Sequence, residues 1–329
     1  MLAPKLVRLL NVGMNETITR SARIPTVAVL MCTFNGERFL SEQFESLASQ
    51  AGVSVDIFVS DDGSTDRTIS ILEGWKSRWP SGTFEIFSGP KNGHSDNFRH
   101  LALRATHDAD YVAFCDQDDI WHEGKLARAI SCIAQHPESA RVLYGSRTRI
   151  IDEEGHQLGF SRLVRRPPAF RNAIIQNFAG GNTMVFNRSA FDLFVDSIRL
   201  TPFVTHDWWS YIIVSGSGGG VYYDKDPHID YRQHTSNVVG ARTWTASALQ
   251  HTHFILSGKF SMWITANLEA LRTCEQLLSR DAKHVLSIVT AIRSASRLRA
   301  LWLLARSGVY RQTIRGNIAL WISVALGKF

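Results

Sequence analysis

At the end of an apolar run the chain places Asp116, Asp118 and Asp119 within four positions, in "FCDQDDIW" (114–121). Carboxylates that close repel one another and cost stability unless water or a cation compensates. A solvated turn capping a helix would satisfy them. A divalent metal shared with a phosphorylated ligand would do so too. Mg²⁺ and Mn²⁺ take oxygen ligands and usually share one or two carboxylates with substrate phosphates. Asp116 and Asp118, with one residue between them, can offer one carboxylate to a metal and the other to a ribose or a water.

The elements that must position these acids are readable from the hydrophobic pattern. "TVAVLMC" (26–32) is a near-continuous apolar run of strand length, as in a parallel strand buried on both faces. The helical stripe Phe39, Leu40, Phe44, Leu47 and Ala48 follows, then strand "VDIFVS" (55–60) and the turn "DDGSTDRT", where Ser64, Thr65 and Asp66 are cap candidates. A helix over 66–79, strand "FEIFS", loop "GPKNGHSDN", helix "FRHLALRAT" and strand "DYVAFC" complete the first half. Strands alternating with helices predict an α/β fold with a parallel sheet. Ligands bind such sheets at the carboxyl ends of the strands. "TFNGE", "SDDGS" and "CDQDD" all lie at such ends, so three clusters distant in sequence are predicted to share one crevice. In the second half, "VLYGSRTRIIDEEGHQLG" reads as a hairpin about "DEEG". "GGNTMVFNRSAFDLF" reads as a strand running into a helix, and "THDWWSYIIVSGSGGG" as a short helix ending in glycines.

Composition narrows the classes. The 329 residues suffice for one large domain with an appendage, or for two, and 44% hydrophobic with 20% charged residues is ordinary for a globular protein. Neither "GxxxxGK[ST]" nor "GxGxxG" occurs, which disfavours ATP hydrolysis and hydride transfer. Cys32, Cys115, Cys132 and Cys274 are widely spread and match no zinc spacing, so reduced packing residues and a cytoplasmic location are expected. Residues 1–24 read as a loosely ordered leader without the apolar core of a signal peptide. Net charge is +6, yet residues 250–329 hold eleven Lys and Arg against three Asp and Glu, so the basic character belongs to the tail.

"TFNGERFLSEQFESLASQ", "FVSDDGSTDRT", "KNGHSDNF", "FCDQDDIWHEGKL" and "HDWW" together resemble the family 2 glycosyltransferases, over roughly residues 25–240. "DQDDIW", "GGNTMVF", "HDWW" and "YRQHTSNVVG" look most like the bacterial rhamnosyltransferase branch, which builds surface polysaccharides. The resemblance implies the GT-A fold, a mostly parallel sheet flanked by helices. It suggests a catalytic domain over 25–245, with a nucleotide-sugar half (25–120) and an acceptor half (121–245), before a basic helical region at 246–329. It implies an inverting, metal-dependent transfer from a nucleoside-diphosphate sugar, most simply rhamnose from dTDP-rhamnose, to a hydroxyl of a growing, lipid-linked glycan such as O-antigen. Thr33 and Asn35 match the first nucleotide-binding loop, Asp61 the residue that contacts the base, and Asp62 its neighbour at the strand end. Asp116 and Asp118 match the "DxD" motif, with Asp118 on the Mg²⁺ or Mn²⁺ ion. Asp207 matches the catalytic base. Glu37 and Gln117 are grouped with the nucleotide-sugar set. Met31 and Cys32 stand where many members carry Pro or Ser, which leaves uridine or thymidine open, and with it a UDP-hexose donor.

Other residues are assigned by their chemistry. Lys91, Arg232 and His234 are candidate diphosphate contacts, and His234 is also a candidate metal ligand beside Asp118. His206 can hydrogen-bond Asp207 or the acceptor, or serve structure. Trp208 and Trp209 suit packing, or an indole face against a sugar; Arg232 is grouped with these acceptor or support residues. A nucleotidyltransferase would share the sheet but leave Asp207 without a role, and a nucleotide-sugar-binding scaffold would need none of the base chemistry. The tail from about residue 284 mixes Leu, Ile, Val and Trp with Arg at helical spacing, and no apolar run reaches the ~20 residues of a spanning helix. It reads as helices lying on an anionic membrane surface, peripheral to the inner face of the cell membrane, or packed on the catalytic domain. Nucleic-acid binding lacks any recognised module.

Overall fold

The computed structural model describes residues 23–80, 82–105, 108–137, 139–234 and 259–329. The leader up to residue 22 and the predicted boundary at 245/246 lie outside the described residues. A seven-stranded sheet forms the centre, in the order β10-β6-β9-β4-β1-β2-β3. Its strands are β1 (Thr26–Thr33), β2 (Ser54–Asp61), β3 (Phe84–Ser88), β4 (Tyr111–Cys115), β6 (Val142–Ser146), β9 (Val185–Asn187) and β10 (Gly220–Asp224). β1 is parallel to β2 and β4, β2 to β3, and β6 to β10, while β9 runs against both neighbours.

Burial on both faces explains why β1 reads as an unbroken apolar run. Ala28, Leu30 and Cys32 point into one hydrophobic cluster, and Val27, Val29 and Met31 into the other. α1 (Leu40–Ala48), α2 (Thr68–Arg78) and α4 (Lys125–Ile133) cover the second face. α3 (His94–Arg104), α5 (Phe170–Ala173), α6 (Arg188–Leu200) and α7 (His206–Gly216) cover the first. The ladder sets the site: Thr33 pairs with Asp61, and Met31 with Cys115, so the three polar clusters leave the sheet at one edge.

A second sheet, β5-β11-β7-β8, is built from β5 (Ile120–Trp121), β7 (Arg149–Ile151), β8 (Gln157–Phe160) and β11 (Ile229–Arg232). Here the predicted hairpin needs correction. β7 and β8 do pair antiparallel about the "DEEG" turn, but "VLYGS" is β6 of the central sheet. All five of its residues are buried, so it belongs where both faces are covered. α3 also begins at His94, four residues earlier than expected, because the Asp62 carboxylate binds the Lys91 and Gly93 N–H groups and ends the loop there.

The tail forms α8 (Lys259–Thr273), α9 (Arg280–Ser294), α10 (Arg297–Ser307) and α11 (Ile314–Leu326). Ser279 caps α9 through the Ala282 N–H, and Thr313 caps α11 through the Gly316 N–H. α10 and α11 each stop at a glycine in the left-handed region, Gly308 (φ 64°) and Gly327 (φ 68°). Val285, Val289, Leu304, Leu320 and Val324 join the same core cluster as the sheet and α7. All four cysteines are buried and unbridged. Burial pushes the Cys32 and Cys115 thiols well above their ordinary range and Cys274 to about 11.

Candidate active site

The donor-side loops are tied to one another by side chains the sequence singled out. The Thr33 hydroxyl donates to Asp61 (2.9 Å), whose carboxylate also accepts the Gly63 and Ser64 N–H groups. Asn35 sits at φ 48°, a conformation Asn tolerates, and its side chain accepts the Thr65 N–H at 2.8 Å. Glu37 accepts from the Arg67 backbone and guanidinium. Asp66, one of the expected caps, accepts the Thr68 N–H. Lys91, also left-handed at φ 59°, lays its aliphatic stem across Gly63. Gln117 pairs with the Phe34 backbone through both ends of its amide. Asp62 and Gln117 thus spend their polar atoms on loop geometry: they shape the crevice as well as lining it.

The acidic run is held from behind. Asp119 is buried and accepts from Asn182 Nδ2 (2.6 Å) and the Arg232 N–H. Arg232 is only 2% exposed, and its guanidinium binds the Asp118 and Glu153 carbonyls and the Glu42 carboxylate. It therefore supports the loop and does not reach out to a diphosphate. Lys125, buried with its ammonium 3.1 Å from the Trp121 ring centroid, is lowered by desolvation to about 7. In front, Asp118 Oδ2 lies 2.7 Å from His234 Nε2, and both side chains are largely buried. Burial first, and then Asp116, push the Asp118 carboxyl up, with His234 pulling it back. Excess negative charge beside an imidazole suits a cation, and the spacing is near the ~3 Å between adjacent ligands of an ion with ~2.1 Å bonds. Asp118 and His234 therefore fit Mg²⁺ or Mn²⁺. Asp152, Glu154 and His156 also converge, at the β7–β8 turn, but Glu154 and His156 are exposed and Asp152 already caps that turn.

Asp207 opens α7. Asn177 Nδ2 donates to its Oδ2 (2.8 Å) and the Trp208 N–H to its Oδ1 (2.6 Å), which fixes the carboxylate's orientation. Burial raises its proton affinity, while Thr205, the Trp208 N–H and His94 oppose that rise. His94 stands 3.6 Å from Asp116, and the charges of Asp116, Asp207 and Asp118 all raise its proton affinity against the effect of burial. It thus links the acidic run to Asp207. His206 takes no part in this: its ring stacks on Phe98 (3.9 Å, 20°), and neither nitrogen has a hydrogen-bond partner among the described residues. Desolvation holds it well below the ordinary histidine range, so it is a neutral core residue. Trp208 and Trp209 are buried, their indole N–H groups satisfied by Ala173 O and Ser197 Oγ. Their place is support, and no indole face is open to a sugar.

The protein-family model of glycosyl transferase family 2 matches residues 28–194, half of the chain. The chain belongs to glycosyl transferase family 2. It is similar to the dTDP-rhamnosyl transferase RfbG of Shigella flexneri, at 31% identity over 224 residues, covering 64% of this chain and 74% of that one. It is also 26% identical over 166 residues to the uncharacterized protein Rv1520 of Mycobacterium tuberculosis, covering 49% and 47%. Among solved structures, S. aureus TarS 1–349 in complex with UDP-GlcNAc shares the fold, with a TM-score of 0.52, 14% identity and coverage of 92% and 90%. As a family 2 member the chain is a glycosyltransferase of GT-A fold that uses a nucleotide sugar. Within this glycosyltransferase the crevice brings together Thr33, Asp61, Asp116, Asp118 and His234. His94 and Asn177 were not singled out from the sequence. His94 lay inside "KNGHSDNF" at another strand end, a usable signal. Asn177 carried none, since only the fold brings it to Asp207.

Proposed function

We propose that this glycosyltransferase transfers rhamnose from dTDP-rhamnose, with inversion, to a hydroxyl of a lipid-linked surface polysaccharide at the inner face of the cell membrane. The observation that supports this reading of the site is His94, 3.6 Å from Asp116 and within the charge influence of Asp207, which is consistent with the leaving group on the Asp116 side and the acceptor on the Asp207 side. The similarity to RfbG supports the donor. Asp61 and Thr33 bind the nucleoside end, Asp116 the ribose side, and Lys91 the diphosphate. Asp118 and His234 would hold Mg²⁺ or Mn²⁺, which supplies charge neutralisation at the departing diphosphate. Asp207, oriented by Asn177, accepts the acceptor hydroxyl's proton as oxygen attacks the anomeric carbon, a contribution of ~10²–10⁴-fold.

A donor panel tests this directly. With Mn²⁺, dTDP-rhamnose at about 100 times its Kd should stabilise the protein by about 2.7 kcal/mol, measured as a raised melting temperature. UDP-hexoses should do much less. Stabilisation by a UDP-hexose and none by dTDP-rhamnose would replace the donor. Asp207→Asn should bind donor normally and lose turnover by ~10²-fold or more; loss of donor affinity with turnover of bound donor intact would make Asp207 a binding residue.

A further inference from the structure

Two tail helices are apolar on the side that faces away from the protein. On α11, Ile314 (80% exposed), Ile318, Trp321 and Ile322 form a stripe at i, i+4, i+7 and i+8, while Leu320 and Val324 opposite them are buried. On α10, Leu298 (83% exposed) and Trp302 (54%) repeat the pattern, with Ala300 and Leu304 buried. A helix apolar on every side is ordinarily covered on every side. The Arg297 guanidinium lies against Gly327, leaving no room there for a Cβ, so the start of α10 meets the end of α11 and the two helices form an antiparallel hairpin.

Charge identifies the cover. Residues 282–329 contain eight Lys and Arg and no Asp or Glu. Arg299, Arg306 and Arg315 are exposed on this same hairpin, and the Arg306 guanidinium sits 4.7 Å from the Trp302 ring centroid. Apolar stripes carrying Trp, flanked by arginine and free of acid, are complementary to an anionic headgroup layer above hydrocarbon. No helix among the described residues is long and apolar enough to cross a membrane, so the contact would be superficial. We propose that the outer face of the α10–α11 hairpin docks on an anionic lipid bilayer through Leu298, Trp302, Ile318, Trp321 and Ile322.

The docking face is tied to the catalytic side. Between the two helices, Gln312 hydrogen-bonds Gln176 and Asn172, and Asn172 also accepts from Tyr211 of α7, one turn beyond Asp207. Asn177, next to Gln176, holds Asp207. The hairpin is thus tied by hydrogen bonds to the segment that holds the base, which suits an acceptor presented from the bilayer. That last point rests on the proposed lipid-linked acceptor; the docking itself does not.

The full chain should co-sediment with phosphatidylcholine vesicles containing about 30% phosphatidylglycerol, and much less with phosphatidylcholine alone. Ile318→Ser/Trp321→Ser and, separately, Arg299→Glu/Arg306→Glu/Arg315→Glu should each weaken partitioning roughly tenfold or more. Melting temperature and donor stabilisation should stay unchanged, since these side chains project into solvent. Rising salt should weaken wild-type binding, because exposed charge is screened over ~8–10 Å. Wild type that ignores both vesicles, or variants that bind as wild type does, would overturn the proposal. So would a wild-type dimer in light scattering that Ile318→Ser/Trp321→Ser converts to monomer, since a second copy would then cover the face. A wrong donor would show in the donor panel and leave vesicle binding untouched.

Discussion

His94 stands 3.6 Å from Asp116, and the charges of His94 and Asp207 each bear on the other's proton. Burial raises the Asp207 carboxyl above its usual ~3.9, and His94 restrains that rise. Turnover should therefore fall through an acid limb above the ordinary aspartate range, as protonation removes the base. His94→Gln removes the restraining positive charge, so the limb should move to higher pH; a limb that stays in place in the kcat profile would show that the two groups do not communicate. Asp118→Ala and His234→Ala should each abolish the extra thermal stabilisation that Mn²⁺ adds to the donor, with the metal-free melting temperature little changed. Wild-type activity that survives excess chelator would remove metal from the reaction. The meeting of Thr33, Asp61 and Asp116 was legible in the sequence because parallel strands present their carboxyl ends to one crevice. His94 and Asn177 reach the site from a helix start and a loop whose placement depends on packing far away in sequence.

At the scale of elements, the turn Gly181–Thr183 stands between two structures that matter. Asn182 donates to Asp119 beneath the acidic run, and a Cβ on Gly181 would come within 2.0 Å of the buried His206 Nε2. The imidazole is wedged against Phe98 and Phe114 and has no room to retreat. Gly181→Ala should cost about 1–3 kcal/mol, seen as a melting temperature lower by several degrees, with weaker donor binding as Asn182 shifts. A variant with native stability would mean that His206 can move after all. The strand–helix alternation of the first half was legible, since each strand is buried on both faces and each helix on one. β6 was misplaced because its run and β7 follow one another across two residues, and nothing local marks the step from one sheet to the other. The difference shows only in burial: "VLYGS" is wholly buried, whereas the hairpin strand β8 is mostly exposed.

For the whole molecule, the tail is both core and surface. Val285, Leu286, Val289 and Ile292 of α9 fill the cluster beneath the central sheet, and each buried aliphatic side chain contributes about 1.5–3 kcal/mol. Their sum is comparable with the ~5–15 kcal/mol that holds a domain folded. A chain ending at residue 279 should therefore aggregate or melt far below the intact protein in a thermal scan; a soluble fragment with a near-native, cooperative transition would show the tail to be dispensable. The sequence left two readings for these helices because amphipathic periodicity identifies an apolar face without saying what it meets. The fold answers for the inner faces, where valines and leucines on all four tail helices reach one core. The four buried thiols have a practical consequence for the outer ones. With no thiol exposed and thiolate formation suppressed at Cys32, Cys115 and Cys274, the native protein offers almost no background to alkylating reagents. A cysteine introduced at position 318 or 302 would be the dominant reactive site, so a nitroxide or fluorophore placed there can report immersion depth without first stripping the protein of its own sulfur.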